Sequence, residues 1–506
     1  MKNDRPISFI RILVVALFVL STVFAKAQET ATFLGNIDSL WSNPDNWANG
    51  MKPNENVIYV AINTDVVVDE DVTIQNLFDT APCTLTLQSG KKMTVLASIT
   101  WSGGDFILED AAQLLTDNPQ ILTVKKSITA QADCEDPWYT IASPLTTEVM
   151  PSFENGFLTD PETGYALYSF SEATLQFVDF KETPFPLVNG KGYLYANALD
   201  TTLLFSGTVY GSNVPIEVPL DYHSVIGTVT GCNLVGNPFP CNAYSNRSYY
   251  LISGPDNILL PVTASSARAL KPCEGVFVKA DAADETITFS RTHESQSIQD
   301  QGYIIISASK ANVADTLGDQ AIISFNPNDD LGKYIINTDL PRVSFTKNDR
   351  DMAIISIDSA DALSVKFKAT KSGTYTLRFQ LKDLEINYLH LIDNINGTNT
   401  DLLTTPYYTF AANPNDYATR FKLVFEPHYD VEELELQSFA YYAMGEIHLV
   451  SDTPEASLQV YDMAGRFVRD NRNGACTIST AGMAPGVYVL RLSTPSGAWT
   501  QKITIE

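Results

Sequence analysis

Histidine is scarce and cysteine sparse in this chain, basic residues are outnumbered, and no long apolar run follows residue 20. The five histidines, His223, His293, His390, His428 and His448, are scattered without the short spacing that metal ligands need. No metal or cofactor is therefore expected. Six cysteines in 506 residues do not make a disulfide scaffold. Cys232, Cys241 and Cys273 are clustered, and one bridge among them is expected, with the pairing open. His-Glu-x-x-His, Gly-x-Ser-x-Gly, Cys-x-x-Cys and Gly-x-Gly-x-x-Gly are all missing. A catalytic triad assembled from distant residues is the remaining route to an enzyme, because sequence order does not reveal one. Lys and Arg number 33 against 59 Asp and Glu, a net charge of −26. Phosphate binding needs a basic face, so nucleic acid is excluded as a partner, and anionic lipid with it.

The first residues carry what the remainder lacks. Lys2, Arg5 and Arg11 precede an apolar run from Ile12 to Leu20, and Ala25-Lys26-Ala27 supplies small residues at a cleavage site. Residues 1–27 read as a secretory signal peptide. Its removal leaves 29 basic and 58 acidic residues, with no membrane span expected thereafter.

Short alternating runs of Val, Ile, Thr, Tyr and Phe, separated by Gly, Asn, Asp and Pro, predict an all-β, multidomain chain. Residues 28–130 carry short strands spaced like the coils of a short parallel β-helix. Trp41 and Trp47 open that region, either as a cap on the core's end or as rings for glycan stacking. Residues 131–296 hold a duplication, with copies near 138–206 and 232–290. Trp138–Leu145 parallels Cys232–Phe239, Tyr165–Tyr168 parallels Tyr249–Ile252, Gly190–Tyr195 parallels Cys273–Val278, and Leu204–Ser206 parallels Thr288–Ser290. Gly190-Lys191-Gly192 lacks the spacing of a phosphate loop and reads as a turn. Residues 297–430 predict a β-sandwich of two antiparallel sheets. Within it, Asp393–Asp401 has Ile395 where a calcium loop needs an oxygen, so it reads as an Asn-Gly turn.

An acidic linker, Glu426 to Glu435, leads to a last module at 431–506. It has a strand, the turn Asp462-Met463-Ala464-Gly465-Arg466, a Met483-x-x-Gly486-x-Tyr488 strand, and a final strand containing Lys502. This set is similar to the C-terminal sorting domain of type IX secretion cargo. The resemblance implies an immunoglobulin-like fold, secretion machinery as partner, and delivery to the cell surface or beyond. It also implies that Asp462, Gly465, Arg466, Gly486, Tyr488 and Lys502 form the sorting signal. Asp38-Ser39-Leu40, Asp79-Thr80-Ala81, Asp200-Thr201-Thr202, Asp315-Thr316-Leu317 and Asp358-Ser359-Ala360 resemble the acceptors of bacterial O-glycosylation in such cargo. The function expected is binding, adhesive or structural, with glycans or other surface proteins as partners. The alternative is a secreted polysaccharide-acting enzyme or its accessory subunit.

Overall fold

The computed structural model describes residues 30–54, 57–130, 138–159, 164–223, 229–253, 257–266, 268–292, 302–311, 318–334, 338–358, 362–425, 439–443, 445–449, 457–471, 477–494 and 497–505. The signal peptide, the acidic linker, His293, His428 and the Asp315 triplet lie outside them. Nearly all regular structure is β, and the described residues contain no α-helix. The chain divides into two compact units, Met1–Phe425 and Glu426–Glu506.

The first unit begins with nine strands: β1 Thr30–Phe33, β2 Tyr59–Ile62, β3 Val66–Val68, β4 Val72–Asp79, β5 Leu85–Leu87, β6 Lys92–Thr100, β7 Phe106–Leu108, β8 Gln113–Thr116 and β9 Gln120–Ile128. From β2 onward the chain alternates between two sheets. One is β1-β2-β4-β6-β8, parallel throughout. The other is β3-β5-β7-β9, also parallel. Equivalent residues stack: Val66 beside Leu85, and Leu85 beside Phe106. Strands β3, β5 and β7 each bury their first and third residues, so alternation along the strand builds one continuous core.

An open parallel stack exposes strand edges, and both ends are covered here. At the start, Trp41 and Trp47 pack edge to face with centroids 4.7 Å apart, and Trp47 meets Phe33 at 5.1 Å. The Trp41 N–H donates to Val67 in β3, and Phe33 in β1 bridges Trp47, so this segment spans the ends of both sheets. At the far end, β14 (Thr201–Val209) pairs antiparallel along β9, so the core continues past residue 130. Strand β8 is covered by the Asn237–Pro240 turn, since Leu114 N donates to Pro240 O at 2.9 Å. Buried Arg291 donates to Thr116 O at 2.7 Å beside it.

The duplication is visible in the strand order. Copy one contains β10 Tyr139–Ala142, β11 Tyr165–Ser171, β12 Gln176–Asp179 and β13 Gly192–Asn197, ending in β14. After β15 Ile216–Pro219, copy two contains β16 Cys232–Gly236, β17 Tyr244–Ser245, β18 Tyr249–Ser253, β19 Ile258–Val262, β20 Gly275–Lys279 and β21 Thr286–Ser290. Their sheets run β10-β13-β11-β12 and β16-β20-β18-β19, the same order in both copies.

Contacts across the seam are reciprocal. Ile141 bridges Glu274, while Val235 bridges Lys191, their counterparts in the other copy. Ala142 N donates to Cys273 O at 3.1 Å, and Gly236 N donates to Gly190 O at 3.0 Å. Each copy presents one surface to its twin, as subunits do in a two-fold dimer. The shared turn needs positive φ, which is +78° at Gly190 and +61° at Cys273. A Cβ on Gly236 would lie 2.0 Å from the Ala142 Cβ, so the seam closes only with glycine there. Gly236→Ala is expected to cost roughly 1–3 kcal/mol by overpacking. Thermal denaturation checks it against Gly373→Ala, whose Cβ would meet nothing within 4 Å.

The rest of this unit comprises β22 Tyr303–Lys310, β23 Asp319–Ser324, β24 Leu331–Gly332, β25 Arg342–Lys347, β26 Arg350–Ser356, β27 Ala362–Lys368, β28 Gly373–Lys382, β29 His390–Asp393, β30 Thr398–Asp401, β31 Tyr407–Ala412 and β32 Phe421–Val424. These strands join in one sheet, with the path β30-β29-β32-β27-β25-β26-β23-β22-β28-β31 and β24 paired to β26 beside it, rather than the two separate sheets expected. The path curls over its own core, because Phe410 of β31 packs 4.8 Å from Phe421 of β32. Its β23–β26 pairing is parallel. Leu331, Tyr334 and Ile354 share a core with Leu234 and Phe277 of copy two.

The second unit has strands β33 Ala440–Ala443, β34 Glu446–Leu449, β35 Ser457–Asp462, β36 Phe467–Asp470, β37 Thr477–Ser479, β38 Gly486–Thr494 and β39 Gly497–Ile505. Two antiparallel sheets, β33-β34-β37 and β36-β35-β38-β39, enclose a core that includes Ile447, Ile478, Leu458, Leu490 and Ile503. This is an immunoglobulin-like arrangement.

Candidate functional site

The turn after β35 is built by one side chain. The Asp462 carboxylate accepts from Ala464 N and Arg466 N, each at 2.9 Å, and from Arg466 Nε at 2.6 Å. The Arg466 N–H bond, with help from the other donors, holds the Asp462 carboxyl below its ordinary pKa. Gly465 has a φ of +76°, a conformation that glycine adopts without strain. Asp, Gly and Arg at these positions therefore form one hydrogen-bonded turn.

The other motif residues lie on β38 and β39. Tyr488 is buried, and its hydroxyl donates to Ala484 O at 2.7 Å, pinning the lead into β38. Gly486 begins that strand opposite Ile505. Met483 packs on the core from the lead segment. Lys502 is exposed and sits opposite Val489. Structural and surface roles are thus divided: Tyr488 and Met483 fold the module, while Lys502 faces outward.

Candidates in the first unit fare differently. Trp41 and Trp47 are 0% and 2% exposed, so the glycan-stacking expectation is corrected: their faces are filled by each other and by Phe33. The expected bridge among Cys232, Cys241 and Cys273 is also corrected. All three are free and buried in separate clusters. Burial pushes the Cys232 and Cys241 thiols up to about 12, which suppresses the thiolate that oxidation requires.

Gly190-Lys191-Gly192 is a turn, with Lys191 N donating to Val188 O at 3.1 Å, as its spacing predicts. The Asp393–Asp401 segment is a hairpin between β29 and β30, turned at Gly397. Asp393 is occupied by protein donors: Arg420 Nε at 2.8 Å and Nη2 at 2.6 Å, and the Tyr408 hydroxyl at 3.0 Å. The His223 Nδ1 lies 2.6 Å from the buried Glu172 carboxylate, which also accepts from Gly231 N. These partners are 51 residues apart, and no pattern in the sequence pairs them. Of the acceptor-like triplets, Ser39 and Thr80 are exposed, whereas Thr201 is half-buried and donates to Gly156 O. A cavity of about 70 Å³ is lined by Arg247, Lys279, Asp281 and Asp330 among others. Its charged groups are tied into ion pairs with Glu285, Lys347, Arg350 or each other.

Against this geometry, residues 443–506 match the family described as the secretion system C-terminal sorting domain. The chain is a type IX secretion cargo. The cargo is therefore exported to the cell surface or the extracellular space. Its residues 32–251 match a domain of unknown function (DUF8693), spanning the parallel sheets, copy one and the start of copy two. No curated protein matches the cargo.

Proposed function

We propose that the first unit is a surface-displayed binding module, adhesive or structural in role and without catalysis, carried outward by the second. The carrying observation is a set of exposed aromatic side chains: Phe153 at 60%, Tyr407 at 49% and Tyr417 at 72% exposure. Aromatic rings supply large contact area and stack on glycans or protein surfaces. We also read the alternation between parallel sheets as a short β-helix acting as a rigid stalk.

The purified secreted chain is expected to bind glycans or surface proteins on an array and to leave polysaccharides uncut. Phe153→Ala or Tyr417→Ala should weaken that binding about tenfold if the ring is an anchor. Release of oligosaccharides from a polysaccharide would favour the enzyme instead.

A further inference from the structure

Among the described residues of the second unit, one face of the β36-β35-β38-β39 sheet carries exposed side chains. In β38, Tyr488, Leu490 and Leu492 point into the core, so Val487, Val489 and Arg491 point away. The same alternation in β39 buries Ile503 and Ile505 and turns out Lys502 and Thr504. The register aligns one outward row across all four strands: Phe467, Tyr461, Val489, Lys502. Phe467 is 55% exposed and Val487 is 43% exposed, and Met463 in the adjoining turn is 60% exposed. Apolar side chains gathered on one exposed face mark a contact surface.

The module is less acidic than the chain as a whole. Residues 443–506 contain five Lys and Arg against six Asp and Glu, whereas the whole chain has 33 against 59. Arg491 and Lys502 are exposed on the outward face, and neither has an ion-pair partner among the described residues. The face's own carboxylate, Asp470, is half-buried and lies on the edge strand opposite Gln459. The exposed turn formed by Asp462 and Arg466 borders the apolar row.

We propose that this outer face of β36-β35-β38-β39 is what the secretion machinery grips, through a receptor with an apolar strip flanked by carboxylates. The inference rests on the sorting assignment and adds the face and the chemistry of its partner. Exposed apolar groups supply the contact, and the free cations of Arg491 and Lys502 set its orientation. The opposite face of the sheet is closed by the module's own core.

The test uses the full chain in a type IX-competent host. Phe467→Ser with Val487→Thr, and separately Lys502→Glu, are each expected to lower the surface fraction at least about tenfold, the loss typical of central interface contacts. Ile121→Thr, at a 78% exposed apolar site in the first unit, should leave it unchanged. Thermal unfolding of each protein shows whether the module still folds. Lys502→Glu, at an exposed position, covers the case in which the apolar double variant does not. Wild-type display of a folded outer-face variant overturns the inference. Removal of residues 426–506 separates the two claims: if that deletion stops display but the face variants do not, only the choice of face is wrong. If the deletion also leaves display intact, the sorting assignment itself fails.

Discussion

A chain stopped after Pro427 is expected to fold and accumulate in the periplasm, while the full chain reaches the surface. The two compact units meet at Phe425 and Glu426, so this cut falls at their boundary. The first unit's cores are drawn from residues up to Leu423. The second unit's core begins at Phe439. Removing a module with its own core leaves the neighbouring core closed. Thermal unfolding of the remaining unit should therefore be cooperative, near its midpoint in the whole protein. Cell fractionation reads the location. A misfolded truncation would show that residues beyond 427 complete the first unit.

The largest stability effect is expected at Arg420. Its side chain and that of Asp393 are 2% and 0% exposed, and two guanidinium nitrogens bond the two carboxylate oxygens. Arg420 Nη1 donates to Ala411 O at 2.7 Å, and the guanidinium lies 4.6 Å from the centre of the Phe410 ring. The pair ties β29, β31 and β32 together where the curled sheet closes. Arg420→Met leaves the Asp393 carboxylate buried without its cation, at a cost of about 3–5 kcal/mol. Chemical denaturation of the chain stopped after Pro427 measures it.

The pH dependence has a defined sign. Burial alone would raise the Asp393 carboxyl, but bonds from Arg420, Ile395 N and Tyr408 outweigh it and hold it below its ordinary value. A depressed carboxyl stabilises the fold above the unfolded pKa of about 4, and this contribution is lost as pH falls through the folded value. Wild-type stability should decline on acidification through that window. Arg420→Met should flatten the decline, because the favoured ionised state has lost its partner.

Much of the architecture was legible because strands repeat every two residues. Short alternating runs of Val, Ile, Thr, Tyr and Phe marked the chain as β, and four blocks in constant order pointed to two copies with the same strand order. The seam between copies was not legible, since Ile141 with Glu274 and Lys191 with Val235 are contacts between distant segments. The cysteines misled because nearness in sequence is not nearness across an antiparallel pair. Cys232 sits opposite Lys279, while Cys273 precedes Gly275, which pairs with Gly236 at the strand's other end. Six extended residues separate such positions by on the order of 20 Å, far beyond the reach of a disulfide. The single curled ladder of β22 to β32 was hidden for a related reason: strand patterns show which face is buried, not which strands join. At the C-terminus the turn chemistry is local, so Asp462, Gly465 and Arg466 carried their meaning in the sequence. Which exposed groups share a face with Lys502 needed the register.

The central claim is that the second unit is an address that acts independently of what it carries. Its most direct measurement is to join residues 426–506 to a folded reporter bearing a signal peptide, in a type IX-competent host, and to expose intact cells to protease. The account predicts that the reporter is cleaved from outside the cell when the module is attached and is protected in the periplasm when it is absent. A reporter that stays protected with a correctly folded module attached would contradict it.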